Sequence, residues 1–282
     1  MKTLLVGTLS LYEIFAFFFV YSFLGWIAEV CFHALTRGEF CNRGFLNGPI
    51  CPIYGTGVTL ILLILGQWAQ KPWAVLLVGI ALPTLLELVG GWAMEEFFHH
   101  KWWDYSNRRC NFKGYICLEF SILWGIAAVC VICVLHPAVK WLVNLLPEIA
   151  AIVVSCVLSA AFLADVIVTI LQLLKLNRKL KELDEVVKAM RTPSDAIGKK
   201  VAGAALAVGD KVGSAREKLK ERHEKTVDAI VEKMPKRLLN AFPTLRSRKT
   251  DSIPLAKESV KRMKRRQKGQ EGEPEARESE EE

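Results

Sequence analysis

Apolar residues gather in five runs, Leu11–Leu35, Pro49–Gln67, Pro72–Met94, Gly114–His136 and Pro147–Leu174. Each is close to the roughly 20 residues a helix needs to cross a hydrocarbon core of about 30 Å. No water reaches backbone groups at that depth, so each run is predicted to be a helix. After the fifth run the pattern changes. Leu173, Leu176, Leu180, Leu183, Val187 and Met190 recur by three and four, a heptad-like seam that continues the helix beyond the bilayer. Thr192-Pro-Ser-Asp195 then predicts a stop and a new start, with Thr192 as N-cap and Pro193 in the first turn. The second helix runs to about Met234 on a stripe of Ile197, Val201, Ala204, Val208, Val212, Ala215 and Leu219. A hairpin between the two helices covers the seam; dimerisation, or a helix lying on the membrane surface, are the other arrangements the pattern allows. Beyond Pro235 the chain is Pro-broken and basic, including Lys261-Arg-Met-Lys-Arg-Arg266, and it ends in the acidic run Glu271–Glu282. The organisation predicted is an all-α, polytopic helical membrane protein: residues 1–174 a transmembrane domain of about five spans, 175–234 cytoplasmic amphipathic helices, and 235–282 a disordered tail.

Charge separates along the same lines. Among 282 residues, 52% are hydrophobic and 23% charged, yet Met1–Leu174 holds 9 Lys/Arg and 10 Asp/Glu while Lys175–Lys268 holds 27 and 12. The loops Thr36–Gly48 and Glu95–Lys113 carry Arg37, Arg43, Lys101, Arg108, Arg109 and Lys113, and fall on the side of the basic C-terminal region. The other side has only Lys2, Lys71 and Lys140. The positive-inside rule therefore predicts an outside N-terminus and a cytoplasmic C-terminus. Met1–Ser10 is too short and too weakly charged for a secretory signal, so the first span is expected to be retained. Trp68 and Trp73 at one interface, and Trp102 and Trp103 at the other, fit aromatic belts. None of the eight cysteines falls in an extracytoplasmic loop, and no structural disulfide is expected.

Four acids interrupt the apolar runs: Glu29, Glu87, Glu119 and Asp165. A charge at the bilayer centre costs about 2.5–3.5 kcal/mol or more, so each requires a reason. Counting at 1.5 Å per residue puts all four within roughly 15 Å of the cytoplasmic boundary. They either converge on one binding or transport cavity or are neutralised separately, by Arg37, Arg43, His33, Lys113 or Arg108 or by protonation.

The loops add candidates. Asn42-Arg-Gly-Phe-Leu-Asn-Gly-Pro-Ile-Cys-Pro-Ile-Tyr-Gly55 reads as a re-entry turn before span 2, where Arg43, Asn47 and a helix N-terminus offer anion contacts or simply cap the helix. Glu95-Glu-Phe-Phe-His-His-Lys-Trp-Trp-Asp-Tyr-Ser106 is polar and crowded, with Asp104 placed to cap a turn. Glu95, His99 and His100 lack the paired ligand spacing of a known metal site, and no metal or other cofactor is expected.

These strings carry a resemblance. The Asn42–Gly55 segment, Tyr21-Ser-Phe-Leu-Gly-Trp-Ile-Ala-Glu29, Trp103-Asp-Tyr-Ser106, Asn111-Phe-Lys-Gly-Tyr-Ile-Cys-Leu118 and Trp124-Gly resemble the ABC-transporter type IV permease-like family of bacterial integral membrane proteins, over roughly Phe17–Gly125. The resemblance implies a permease role in a bacterial cell membrane. No Gly-x-x-x-x-Gly-Lys-Ser/Thr phosphate cradle occurs in the chain, so an ATPase is expected as a separate subunit. The leading expectation is a non-enzymatic permease for a small polar or cationic solute, with Glu29, Arg43, Asn47, Glu87, Asp104, Glu119 and Asp165 as substrate-binding candidates. A membrane-embedded lipid- or metal-dependent enzyme and a non-transporting scaffold are the alternatives. Membrane lipids, the ATPase and further copies of the chain are the expected partners; nucleic acid is not, because stacking aromatics are nearly absent from the basic region.

Overall fold

Among the described residues of a computed structural model of the chain, five helical segments are long and apolar enough to cross a membrane: Leu11–Thr36, Pro52–Gln70, Pro72–Phe98, Leu118–Asn144 and Glu148–Lys188. The chain is an all-α, multi-pass membrane protein. The structure describes residues 5–6, 8–38, 40–42, 44–204, 211–235, 237, 239, 246–247 and 252–271. It divides into two compact units between Leu171 and Gln172, described separately below.

Local sequence sets the ends of the first spans. Helix α1 (Leu11–Arg37) starts at Ser10, whose N–H donates to Glu13 Oε2 at 2.8 Å. It stops at Gly38, which takes φ 70° and returns its N–H to the Ala34 carbonyl. Pro52 and Pro72 open α2 (Pro52–Leu65) and α3 (Pro72–Phe98), where a missing N–H breaks no helical bond. Span 2 begins at Pro52 and not Pro49, because the Cys51 N–H bonds the Ser22 carbonyl of α1 at 2.9 Å and holds the preceding residues outside the helix.

Small residues let the spans approach. A Cβ on Gly55 would lie 2.1 Å from Ser22 Oγ and one on Gly25 would lie 2.4 Å from Tyr54 Cγ, so α1 and α2 touch through these glycines. Helix α4 (Leu118–Val129) meets α3 at Gly125 and Gly79, where an added Cβ on Gly79 would stand 2.6 Å from that of Ala128. This is the close, small-residue packing expected where lipid supplies no hydrophobic drive between helices.

Span 4 is not uniform. After α4 a π-helical turn, Cys130–Leu135, leads into α5 (His136–Asn144). Pro137 offers no N–H to the carbonyl four residues before it, and the His136 N–H bonds Val131 O in the wider ladder. Span 4 begins at Leu118, not Gly114, because 111–117 form a small antiparallel ladder pairing Asn111 with Cys117 and Phe112 with Ile116.

Helix α6 (Glu148–Ala204) carries span 5 and runs on into the second unit. No break occurs at Thr192-Pro193: an interior proline deletes one backbone bond and can be absorbed as a bend in a long helix. The seam residues Leu173, Leu176, Leu180 and Leu183 are fully buried within the chain. The second unit adds α7 (Lys211–Glu232) and α8 (Ile253–Glu271). Helix α8 lies where a disordered tail was expected. Ile253, Ala256 and Val260 repeat by three and four on its buried face, and Ser259 Oγ donates to Asp228 of α7 at 2.6 Å. Met190 and the α7-side stripe from Ile197 to Leu219 lie outside the described side chains, as does the acidic terminus beyond Glu271.

A tyrosine–tryptophan cluster around two intramembrane carboxylates

The four intramembrane acids occupy three different environments. Glu29 of α1 accepts a hydrogen bond from the Tyr54 hydroxyl of α2 at 2.7 Å. The Tyr54 ring meets the edge of Trp124 of α4 with centroids 5.6 Å apart. The Trp124 indole N–H is directed at the Glu87 carboxyl of α3 but falls short of a hydrogen bond. Glu87 Oε1 accepts from the Tyr105 hydroxyl at 3.3 Å, and the Tyr105 ring stacks on Phe120 of α4 at 4.8 Å. Four spans and one loop thus place Glu29, Tyr54, Trp124, Glu87 and Tyr105 in one continuous contact chain.

Glu87 is the most constrained member. It is 7% exposed, and among the described residues neither its Oε2 nor the Trp124 indole N–H has a hydrogen-bond partner. A buried acceptor and a buried donor without a hydrogen bond are both costly, about 1–3 kcal/mol each. Tyr105 lies in the loop outside the spans. Burial, and then the neighbouring Glu87 charge, push its phenol well above the usual tyrosine range, so it remains a donor toward Glu87.

Asp165 of α6 belongs to a different structure. Its two oxygens accept the Asn47 N–H at 3.1 Å, the Asn47 side-chain amide at 2.9 Å and the Gly48 N–H at 2.7 Å. Asn47 also donates to Thr169 Oγ1 at 3.0 Å. Non-helical backbone at membrane depth must be satisfied inside the protein, and Asp165 does this for the loop before span 2. Asn42 completes the turn: it accepts from the Trp26 indole at 2.8 Å and donates to the Asn47 carbonyl at 2.8 Å. Asn47 and Asp165 together form a loop clamp. Arg43 lies outside the described residues.

Glu119 faces outward. Its side chain is 62% exposed and pairs with Arg108 at 3.2 Å, beside a shallow groove that includes Asn107 and Arg109. Asp104 accepts from the Ser106 N–H at 3.0 Å and lies 3.7 Å from Lys101, so it caps a turn. The four acids do not share one site: Asp165 and Glu119 satisfy partners of their own, and only Glu29 and Glu87 stand in one contact chain.

The loop 99–117 is folded onto the bundle. His99 takes φ 60° and closes α3, with its N–H on the Glu95 carbonyl. The Trp103 indole donates to the Tyr115 carbonyl at 2.8 Å, Tyr115 donates to Glu95 at 2.6 Å, and Trp102 is buried against Phe45. Trp102 and Trp103 thus hold this loop and do not form the interfacial belt expected of them. Trp68 and Trp73 are more than half exposed, as a belt requires. Among the described residues no group of three or more His, Cys, Asp or Glu side chains is disposed to hold a metal ion, and none of the eight cysteines is joined in a disulfide.

Sequence reading singled out the acids but not Tyr54, Tyr105 or Trp124, nor the hydrogen bond of 2.9 Å between Tyr21 and His136 Nδ1 deep in the bundle. A signal was present: Tyr54, Tyr105 and Trp124 each stand in one of the strings that carry the family resemblance.

Five apolar spans and intramembrane carboxylates held by tyrosines define a polytopic helical membrane protein with a polar site inside its bundle. Residues 16–170, more than half of the chain, match the profile of the family described as "Putative ABC-transporter type IV", and the chain belongs to that family. No curated protein and no solved structure matches it.

Proposed function

We propose that this chain is the membrane-spanning, permease-like component of a transporter, and that the Glu29–Glu87 cluster binds a small polar or cationic solute on its way across. The observation that carries the reading is the pair of open groups inside the bundle, Glu87 Oε2 and the Trp124 indole N–H. A carboxyl buried among helices requires a proton, a cation or a hydrogen-bonding solute to be tolerated there. Tyr54 and Tyr105 each donate to one oxygen of the two acids, Glu29 Oε1 and Glu87 Oε1, and we assign the solute to Glu87 Oε2. Family membership supports a transporter-like role. The chain carries no phosphate-cradle motif, so we assign ATP hydrolysis to a separate polypeptide and no catalytic reaction to this one.

The loop charge asymmetry supports an outside N-terminus and a cytoplasmic C-terminus in a bacterial cell membrane. The cluster, at the end of the bundle that carries loops 38–51 and 99–117, then faces the cytoplasm. Uptake into vesicles of a panel of ammonium compounds, amino acids, polyols and alkali cations tests the reading. Wild-type chain accelerates one member of the panel and Glu87→Gln does not, at equal membrane abundance. Equal uptake by both reduces the chain to a non-transporting scaffold.

A further inference from the structure

The second unit presents a charge pattern that the transport reading does not use. Helix α8 holds seven Lys/Arg and two Glu, whereas α7 holds six and five. The acids of α7 facing α8 are already engaged: Arg262 reaches Glu224 at 3.0 Å and Asp228 at 3.1 Å. Lys257, Lys261, Lys264 and Arg265 occupy positions i, i+4, i+7 and i+8, one stripe that flanks the apolar face of Ile253, Ala256 and Val260. Lys261, Lys264 and Arg265 are exposed, and among the described residues none of the three pairs with an acid. Lys261, Arg262 and Arg265 line an open groove with Glu258 as its one acid.

We infer that this stripe is a docking surface for the anionic phospholipid headgroups of the bilayer that the same chain spans. A stripe of ammonium and guanidinium groups complements a plane of phosphates. The helix that carries span 5 continues without a break into the unit that holds α8, so α8 is tethered to a chain that spans a bilayer. Nucleic acid offers the same phosphate charge, but a single strand also stacks its bases on aromatic side chains, and the stripe has none. Burial, and then the neighbouring Lys261, hold the Lys257 ammonium down at about 8. An anion over the pair relieves that repulsion. The inference is independent of what the spans transport.

The test uses the full chain with ¹³C-methylated lysines in nanodiscs carrying a nitroxide headgroup lipid. The discs are phosphatidylcholine alone, or phosphatidylcholine and phosphatidylglycerol in equal parts. With phosphatidylglycerol the Lys257, Lys261 and Lys264 methyl signals broaden, and the Lys257 midpoint climbs from about 8 toward the ordinary lysine range. Phosphatidylcholine alone leaves them sharp. Each charge removed weakens docking about fivefold, so Lys261→Gln, Lys264→Gln and Arg265→Gln together lose about a hundredfold and the Lys257 broadening with it. Lys261→Arg with Lys264→Arg preserves it and controls for folding. Signals indifferent to phosphatidylglycerol, or signals that respond to a DNA duplex in its place, overturn the inference.

Discussion

A carboxylate inside a bundle is informative only together with what holds its two oxygens. Asp165 has three amide donors, so Asp165→Ala strands the amides of Asn47 and Gly48 and costs about 2–4 kcal/mol, read as a lower melting temperature in detergent. Glu119 is paired at the surface, and Glu119→Gln changes stability by less than about 1 kcal/mol and leaves uptake near wild type. Glu87→Gln does the reverse: insertion and melting hold, and solute uptake falls at least about tenfold. Trp124→Phe, which keeps an aromatic ring near Tyr54 and removes the indole N–H together with the second ring, lowers uptake in the same direction. Tyr105 gives a pH signature. Its phenol titrates higher folded than unfolded, so its contribution is intact below pH 10 and is lost as the pH rises beyond that value. Thermal melting from pH 9 to pH 11 should fall less steeply in Tyr105→Phe than in wild type. The acids were legible in the sequence because charge is rare in apolar runs. Their partners were not, because a Tyr or Trp in a span is equally at home against lipid.

The spans themselves were legible, since apolar length alone identifies a crossing helix. Their starts moved by more than one residue only where an irregular segment takes over backbone bonds, at Cys51 and in the 111–117 ladder, while spans 3 and 4 run on to Phe98 and Asn144. The π-helical turn escaped notice because an apolar run has no mark for a widened ladder, although Pro137 stands just after it. Helix α8 escaped for a different reason. Pro254 and the basic run mask a short apolar repeat that becomes visible only once α7 supplies a surface for it. The glycine contacts between spans give the sharpest prediction at this scale. Gly79→Val forces a side chain into the Ala128 methyl, and Gly55→Val forces one into Ser22 Oγ and the Phe18 carbonyl. Each should cost about 1–3 kcal/mol or more, measured as lost melting temperature and lower yield of folded protein.

At the scale of the whole molecule, loop charge makes the prediction. A reporter fused after Leu174 should read as cytoplasmic and one after Lys71 as external. The opposite pattern would turn the Glu29–Glu87 cluster to the outer face and leave its internal geometry unchanged. The family match covers residues 16–170, which hold the bundle, and the central claim is that the open Glu87 oxygen receives a solute. The most direct measurement is the melting temperature of the full chain in detergent against the panel of ammonium compounds, amino acids, polyols and alkali cations. A ligand that binds only the folded state at about 100 times its dissociation constant stabilises it by about 2.7 kcal/mol. The account predicts at least one solute that raises the melting temperature of wild type and of Glu119→Gln but not of Glu87→Gln or Trp124→Phe. A solute that stabilises wild type and Glu87→Gln alike would contradict it.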